Sequence, residues 1–347
     1  MALFRKAKNT PLDGVEALIA DLDGVVYRGH LEIPGAVVHL NRAAERMRVG
    51  YLTNNAARTD EQVAAQLTSF GLRITPQDVV TSPQAAVQIL RDTVPDGALV
   101  FVVGGEGLSN ELDKAGYRVT RSAADKPDVV VQGFAQDVGW RELAEASFAL
   151  AEKPGEPLIP WIATNTDWTI PVPRGTAPGN GSLVSAVHNA VQRLPRFAGK
   201  PELAIYQTAF ARFGVKPGAA LMVGDRLDTD IKGAKNAGMK ALHVLTGVDR
   251  PKQLLAASAD MRPDYIVADL GQLYEPYPET VIARDSAVRV GGAKVRVTGQ
   301  DVEILQEGSS PLDLLRAGCQ AIYRSGLAVY GLRVPEILVA DYWRAAE

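Results

Sequence analysis

Two aspartates two residues apart, Asp21 and Asp23, follow the mostly apolar run Val15-Glu16-Ala17-Leu18-Ile19-Ala20 and precede Gly24. In open α/β sheets, ligands bind beyond the carboxyl ends of the strands. Two carboxylates there suit a division of labour, one as nucleophile and the other as proton donor and acceptor. The plain alternative is a solvated strand end with an ordinary turn acid. A second acidic segment, Gly224-Asp225-Arg226-Leu227-Asp228-Thr229-Asp230, follows the apolar run Ala220-Leu221-Met222-Val223. Three acids so close repel unless something positive sits among them. A hard cation with oxygen ligands meets that need, and Mg²⁺ fits. A helix start capped by Asp228 or Thr229 is compatible with the same residues. Thr53-Asn54-Asn55 after another short apolar run offers a hydroxyl, an amide and backbone N–H groups to phosphate oxygens. Turn chemistry explains it equally well. Gly199-Lys200-Pro201 supplies a point charge that offsets phosphate and carboxylate charge, although most lysines are merely solvated.

The elements that must carry these residues alternate strand and helix. Short apolar runs ending at Ala20, Thr53, Val103, Gln132, Val223 and Leu245 read as strands buried on both faces. Between them, Pro34–Val49 places Val37, Leu40, Ala44 and Met47 on one helical stripe. Thr59-Asp60-Glu61-Gln62 has capping-box spacing and opens a helix that stops at Gly71. Trp140–Glu152, a stretch with Leu183, Val187, Val191 and Leu194 in register, and Pro201–Phe213 read as further helices. Alternation of this kind predicts a doubly wound parallel sheet. Gly104-Gly105-Glu106-Gly107 matches neither the P-loop nor the dinucleotide fingerprint and reads as a strand-to-helix turn. The histidines, His30, His39, His188 and His243, have no ligand spacing.

From about Leu270 the pattern changes. Val288–Val290 and Lys294–Val297 flank Gly291-Gly292-Ala293, as in an antiparallel hairpin, and Val302–Leu305 suits a third strand. Pro311–Ser325 is an amphipathic helix with Leu314, Leu315, Cys319 and Ile322 inward. The 347 residues suggest two or three domains. Thirty-seven basic against 40 acidic residues give a net charge of −3, which excludes a nucleic-acid binder acting by bulk charge. A single cysteine, Cys319, allows no intramolecular disulfide and no cysteine-based zinc site. The basic start Met1–Lys6 is followed by no apolar run of signal-peptide length, and no run is long enough to span a membrane. A cytoplasmic protein with no membrane or nucleic-acid partner is the expectation.

Taken together and in this order, the four motifs resemble those of the haloacid dehalogenase superfamily. About 100 residues, Pro83 to Ser182, separate the second motif from the third. That insertion, with Asp21–Gly29, Gly224–Ile231, Thr164-Asn165-Thr166-Asp167 and Pro178-Gly179-Asn180-Gly181-Ser182, resembles the type IIA, p-nitrophenylphosphatase-like branch. The resemblance covers residues 13 to 270. It implies an α/β, Rossmannoid core (13–82 and 183–270) and an inserted α/β cap (83–182); beyond it, the hairpin and the helix read as a small α+β tail (275–347).

The resemblance also assigns roles. Asp21 matches the nucleophile that becomes an aspartyl phosphate, and Asp23 the acid/base. Thr53, Asn54 and Lys200 match phosphate-holding positions. Asp225 matches the acidic Mg²⁺ ligand, with Asp21 and the carbonyl of Asp23, and Asp230 a supporting acid that orients the metal site. Asp167 and Trp168 lie where the cap would meet the leaving group. A phosphatase is implied, because a dehalogenase has no use for an acid at position 23 and the transport ATPases carry Thr there. A phosphatase of this type with a short tail resembles the actinobacterial glycerol 3-phosphate phosphatases, whose tail resembles a truncated acetyltransferase domain. No pyrophosphate-binding Gly-x-Gly segment follows a tail strand, so no acetyl-CoA chemistry is expected. The alternatives are a phosphatase for pyridoxal phosphate, phosphoglycolate or a nucleotide, and a non-catalytic regulator that binds a phosphometabolite. Neither reading fixes an oligomeric state, and a homo-oligomer is compatible with both.

Overall fold

The computed structural model describes residues 9–172 and 174–343. The basic start Met1–Lys6 and the last residues of the tail lie outside them. The chain divides into two compact units, residues 1–47 with 218–347, and residues 48–217. This division differs from the expected domain boundaries at 83 and 182.

In the first unit, the strands Ala17–Ala20, Ala220–Gly224, Lys240–Val244 and Tyr265–Val267 pair in parallel, each beside the next. Nearly all of their side chains are buried. This explains why they read as unbroken apolar runs rather than alternating ones. Register decides where the acids go. Ala20 pairs with Val223 and Gly224 with His243, so Asp21, Asp225 and the loop after Val244 emerge at one carboxyl edge.

In the second unit, five parallel strands lie in the order Arg196–Phe197, Trp161–Ala163, Val129–Gln132, Leu99–Val103, Arg118–Thr120. The helices Trp140–Leu150 and Asn180–Val191 pack on one face, around Phe101, Val130, Trp161, Val184 and Val187. Arg48–Thr53 and Val79–Thr81 pair with each other in parallel. The expected capping box is formed. Thr59 Oγ1 accepts from the Gln62 N–H (3.2 Å), and Gln62 Oε1 accepts from the Thr59 N–H (3.1 Å). Such a cap is worth about 1 kcal/mol. The helix expected over Pro34–Val49 runs only from Ala36 to Ala44, because Arg48 already belongs to the next strand.

The tail belongs to the first unit. Its antiparallel sheet has an edge strand, Thr280–Ile282, that the sequence pattern did not announce, since all three side chains are exposed. Beyond it lie Val288–Val290, Ala293–Thr298 and Asp301–Gln306. The helix Pro311–Ser325 buries Leu314, Leu315, Cys319 and Ile322. Arg316 fastens this helix to the parallel sheet. Its Nε and Nη2 donate to the Ile266 carbonyl at 2.9 and 2.6 Å, and its Nη1 donates to Asp313 Oδ1 at 2.9 Å. The guanidinium lies 4.5 Å from the centre of the Tyr277 ring. Tyr323 donates to the Leu254 carbonyl. A chain cut after Leu270 loses these bonds and the cover over Leu254, Leu255 and Ile266. Each buried aliphatic side chain is worth roughly 1.5–3 kcal/mol. The truncated chain is expected to melt roughly 10 °C lower or to aggregate, while its folded fraction keeps its activity. An unchanged melting midpoint and solubility would contradict this.

Candidate active site

Asp21, Asp225 and Asp230 each present a carboxylate oxygen, and these oxygens lie within 4.8 Å of one another. All three residues are buried, Asp225 and Asp230 completely. Two like charges about 4 Å apart repel by about 4 kcal/mol at an effective dielectric of 20. A buried cluster of three is therefore built for a cation. Three hard oxygen donors without nitrogen or sulfur suit Mg²⁺ or Ca²⁺.

The backbone around the cluster is shaped to it. Gly24 has φ +82°, and a Cβ there would stand 2.3 Å from Asp225 Oδ2. A Cβ at Gly247 would stand 1.9 Å from the same atom, and one at Gly224 would meet the Asp230 side chain at 2.2 Å. Glycine at these places leaves room for carboxylates that any side chain would displace. The Val248 N–H donates to Asp225 Oδ2 (2.6 Å), and the Arg226 N–H to Asp230 Oδ2 (3.1 Å). These bonds hold each oxygen in place.

The acid-rich segment sorts itself by side. Residues Leu227–Ile231 form one wide, π-helical turn. Such turns recur at functional sites. Arg226 precedes the turn as its cap, so neither Asp228 nor Thr229 caps it. Asp228 turns outward onto Arg226 (3.0 and 3.2 Å), whereas Asp225 and Asp230 turn inward. Asp23 is exposed just beyond Asp21, in a loop where the Gly24 N–H donates to the Tyr27 carbonyl (2.8 Å).

The loop after Val244 is a part of the site that the sequence reading missed. Thr246 Oγ1 donates to the Gly24 carbonyl (2.6 Å), which fixes the turn after Asp23. His243 is fully buried, and its Nε2–H donates to the Asp225 carbonyl (3.0 Å). Burial pushes its pKa down to about 4, so the ring is neutral. Asp249 accepts from the Leu227 N–H (2.6 Å), and burial raises its carboxyl pKa. The available signal was Thr246-Gly247 directly after a buried strand, the same placement that marks the other motifs.

The second unit gathers the remaining predicted residues except Trp168. Thr53 is buried, and its Oγ1 accepts from the Asn55 N–H (3.1 Å). Lys200 is 3% exposed, with Nζ 3.4 Å from the Leu52 carbonyl. Asn54 joins it. Asn54 Oδ1 accepts from the Lys200 N–H (2.8 Å), and Nδ2 donates to the Lys200 carbonyl (3.1 Å) and to Asp167 Oδ1 (2.9 Å). Asn165, which the sequence reading did not single out as a site residue, donates to the Asn54 carbonyl (2.7 Å) and is itself held by Asn180 (2.9 Å). Trp168 is 61% exposed.

The chain is similar to known proteins in sequence and in structure. A family profile for haloacid dehalogenase-like hydrolases matches residues 18–118, and a second, HAD-hydrolase-like profile matches 197–273. The chain is 42% identical to the D-glycerol 3-phosphate phosphatase of Mycobacterium tuberculosis over 316 residues, 90% of this chain and 87% of that one. It is 35% identical to an acid sugar phosphatase of Staphylococcus aureus over 260 residues, 74% of this chain and 96% of that one. A crystal structure of the M. tuberculosis glycerol phosphate phosphatase in complex with magnesium superposes with a TM-score of 0.82 at 38% identity, covering 92% of this chain and 94% of that one. The 4-nitrophenylphosphatase of Thermotoga maritima superposes with a TM-score of 0.69 at 30% identity, over 76% and 98% of the two chains. On motif, fold and relatives alike, the chain belongs to the haloacid dehalogenase-like hydrolases.

Proposed function

We propose that the chain is a Mg²⁺-dependent phosphatase of a small phosphorylated metabolite, with glycerol 3-phosphate as its substrate. The observation that carries the reading is the buried cluster of Asp21, Asp225 and Asp230. The substrate follows the relative at 42% identity and the structure at TM-score 0.82. The residues 83–182 act as the cap that selects the leaving group, and Trp168, which is exposed, is available to contact it. The buried, unpaired Cys319 suits a reducing cytoplasm.

Asp21 Oδ attacks phosphorus while the bond to the leaving oxygen breaks, which forms an aspartyl phosphate. Asp23 gives its proton to that oxygen, so the alcohol departs neutral. Asp23 then takes a proton from water, whose oxygen attacks phosphorus and releases phosphate and free Asp21. This transition state is loose and leaves little covalent work, so positioning and charge dominate. Lys200 and Thr53 hold phosphoryl oxygens, and Asn54 beside them grips the Lys200 main chain. The exposure of Asp23 beside buried Asp21 supports the split of roles, since a proton carrier needs access to water. Asp21, Asp225 and the Asp23 carbonyl would hold Mg²⁺ with Asp230 behind them. The ion supplies positive charge against the dianion that otherwise repels Asp21.

A screen of phosphomonoesters with and without divalent ions tests the reading. Phosphate release from glycerol 3-phosphate is expected with Mg²⁺, and none in excess chelator. Ca²⁺ is expected to inhibit, because it accepts more ligands at longer distances than the octahedral 2.0–2.1 Å of Mg²⁺. Asp21 would then give both oxygens to the ion and lose the one that attacks. Full turnover in chelator, or equal rates with both ions, would overturn it.

A further inference from the structure

We propose that Asp167 is a positioning residue, which sets Lys200 for phosphate through Asn54 rather than by touching substrate. This deepens the phosphatase reading and rests on it. Asn54 is 8% exposed, and its side-chain amide makes three bonds. Oδ1 and Nδ2 pair with the N–H and carbonyl of Lys200 (2.8 and 3.1 Å), and the other Nδ2 hydrogen goes to Asp167 Oδ1 (2.9 Å). A carboxylate only accepts. A flipped Asn54 amide would set its oxygen against both Asp167 and the Lys200 carbonyl. Asp167 therefore locks the orientation in which Asn54 grips the Lys200 main chain.

Asp167 is itself held at both ends of its peptide unit. Its N–H donates to Asn165 Oδ1 (3.1 Å), and its carbonyl accepts from the Gly181 N–H (2.9 Å). Gly199 allows the close approach, since a Cβ there would stand 2.5 Å from Asn54 Oδ1. The loop that bears Trp168 is thus tied to the lysine that faces phosphate in the proposed reaction. A charge-assisted bond is roughly twice as strong as a neutral one. Its loss frees a buried amide to turn.

The test compares glycerol 3-phosphate with p-nitrophenyl phosphate, which has no hydroxyls on its leaving group. Asp167→Ala is expected to lower kcat/KM about tenfold for both, and to weaken inhibition by inorganic phosphate by a similar factor. Asp167→Asn keeps an acceptor for Asn54 and is expected to restore most of the loss. Asp167→Ala added to Asn54→Ala is expected to cost less than the sum of the two single losses, since the two residues are coupled through their bond. A loss confined to glycerol 3-phosphate would overturn the proposal in favour of direct substrate contact, as would additive losses. Should Asp167→Ala fail to fold, Asp167→Asn decides alone: near-wild-type rates on both esters support the proposal, and a loss on glycerol 3-phosphate only overturns it. If the wild-type chain turned over neither ester, the phosphatase reading would fall by itself. Calorimetric binding of inorganic phosphate would then still decide, supporting the positioning role if weakened in Asp167→Ala but not in Asp167→Asn, and overturning it otherwise.

Discussion

Asp21→Asn is expected to lower turnover about a thousandfold or more without loss of stability. The amide keeps the shape of the carboxylate but is a poor nucleophile, and removal of a nucleophile costs several powers of ten in comparable enzymes. The stability half of the result carries independent weight. Asp21 sits in a buried cluster with two other carboxylates. Neutralising one of three like charges relieves repulsion when no cation is bound. In chelator, therefore, the Asp21→Asn variant should melt at or above the wild-type temperature. If Asp21 served only the fold, the same substitution would lower both activity and melting point. Steady-state kinetics with Mg²⁺ and thermal melts in chelator read the two halves separately. Near-normal turnover would remove Asp21 from the reaction, and a lower melting point in chelator would mean that the three carboxylates do not repel as placed.

Much of this site was legible because strand ends carry it. The runs ending at Ala20 and Val223 are apolar throughout, so the acids that follow could only emerge at an edge, and parallel register brings them to the same edge. What the pattern could not give was the direction of each acid. Asp225, Asp228 and Asp230 look alike in sequence, yet the π-helical turn sends Asp228 to Arg226 and the other two inward. Such a turn depends on bonds from distant residues, Asp249 among them, and leaves no local periodicity. Asp230 was expected as a supporting acid, and one of its carboxylate oxygens lies within 4.8 Å of those of Asp21 and Asp225. Asp167 was expected at the leaving group, and its bond to Asn54 joins residues 113 positions apart that no spacing rule connects. The edge strand Thr280–Ile282 escaped for a simpler reason: three exposed residues show no alternation.

The loop after Val244 supplies the sharpest test of the metal site, because Gly247 bears no chemistry of its own. Gly247→Ala is expected to raise the Mg²⁺ concentration for half-maximal activity about tenfold or more. The added Cβ would overlap Asp225, at 1.9 Å from Oδ2 and 2.2 Å from Cβ and Cγ. Asp225 cannot simply swing aside. It is fully buried, its Oδ2 accepts from the Val248 N–H, and its carbonyl accepts from His243 and from the Asp249 N–H. The overlap must therefore move the carboxylate away from Asp21 and Asp230, or push the loop outward at a packing cost of about 1–3 kcal/mol. Either response weakens a cluster whose oxygens must converge on one ion. Gly218→Ala is the matched control, since a Cβ there meets nothing within 4 Å, and it should leave the Mg²⁺ titration unchanged. Activity and calorimetric titrations with Mg²⁺ on both variants make the comparison. A wild-type Mg²⁺ requirement in Gly247→Ala would show that Asp225 does not hold the ion from this position, and the metal site would have to be rebuilt around Asp21 and Asp230 alone.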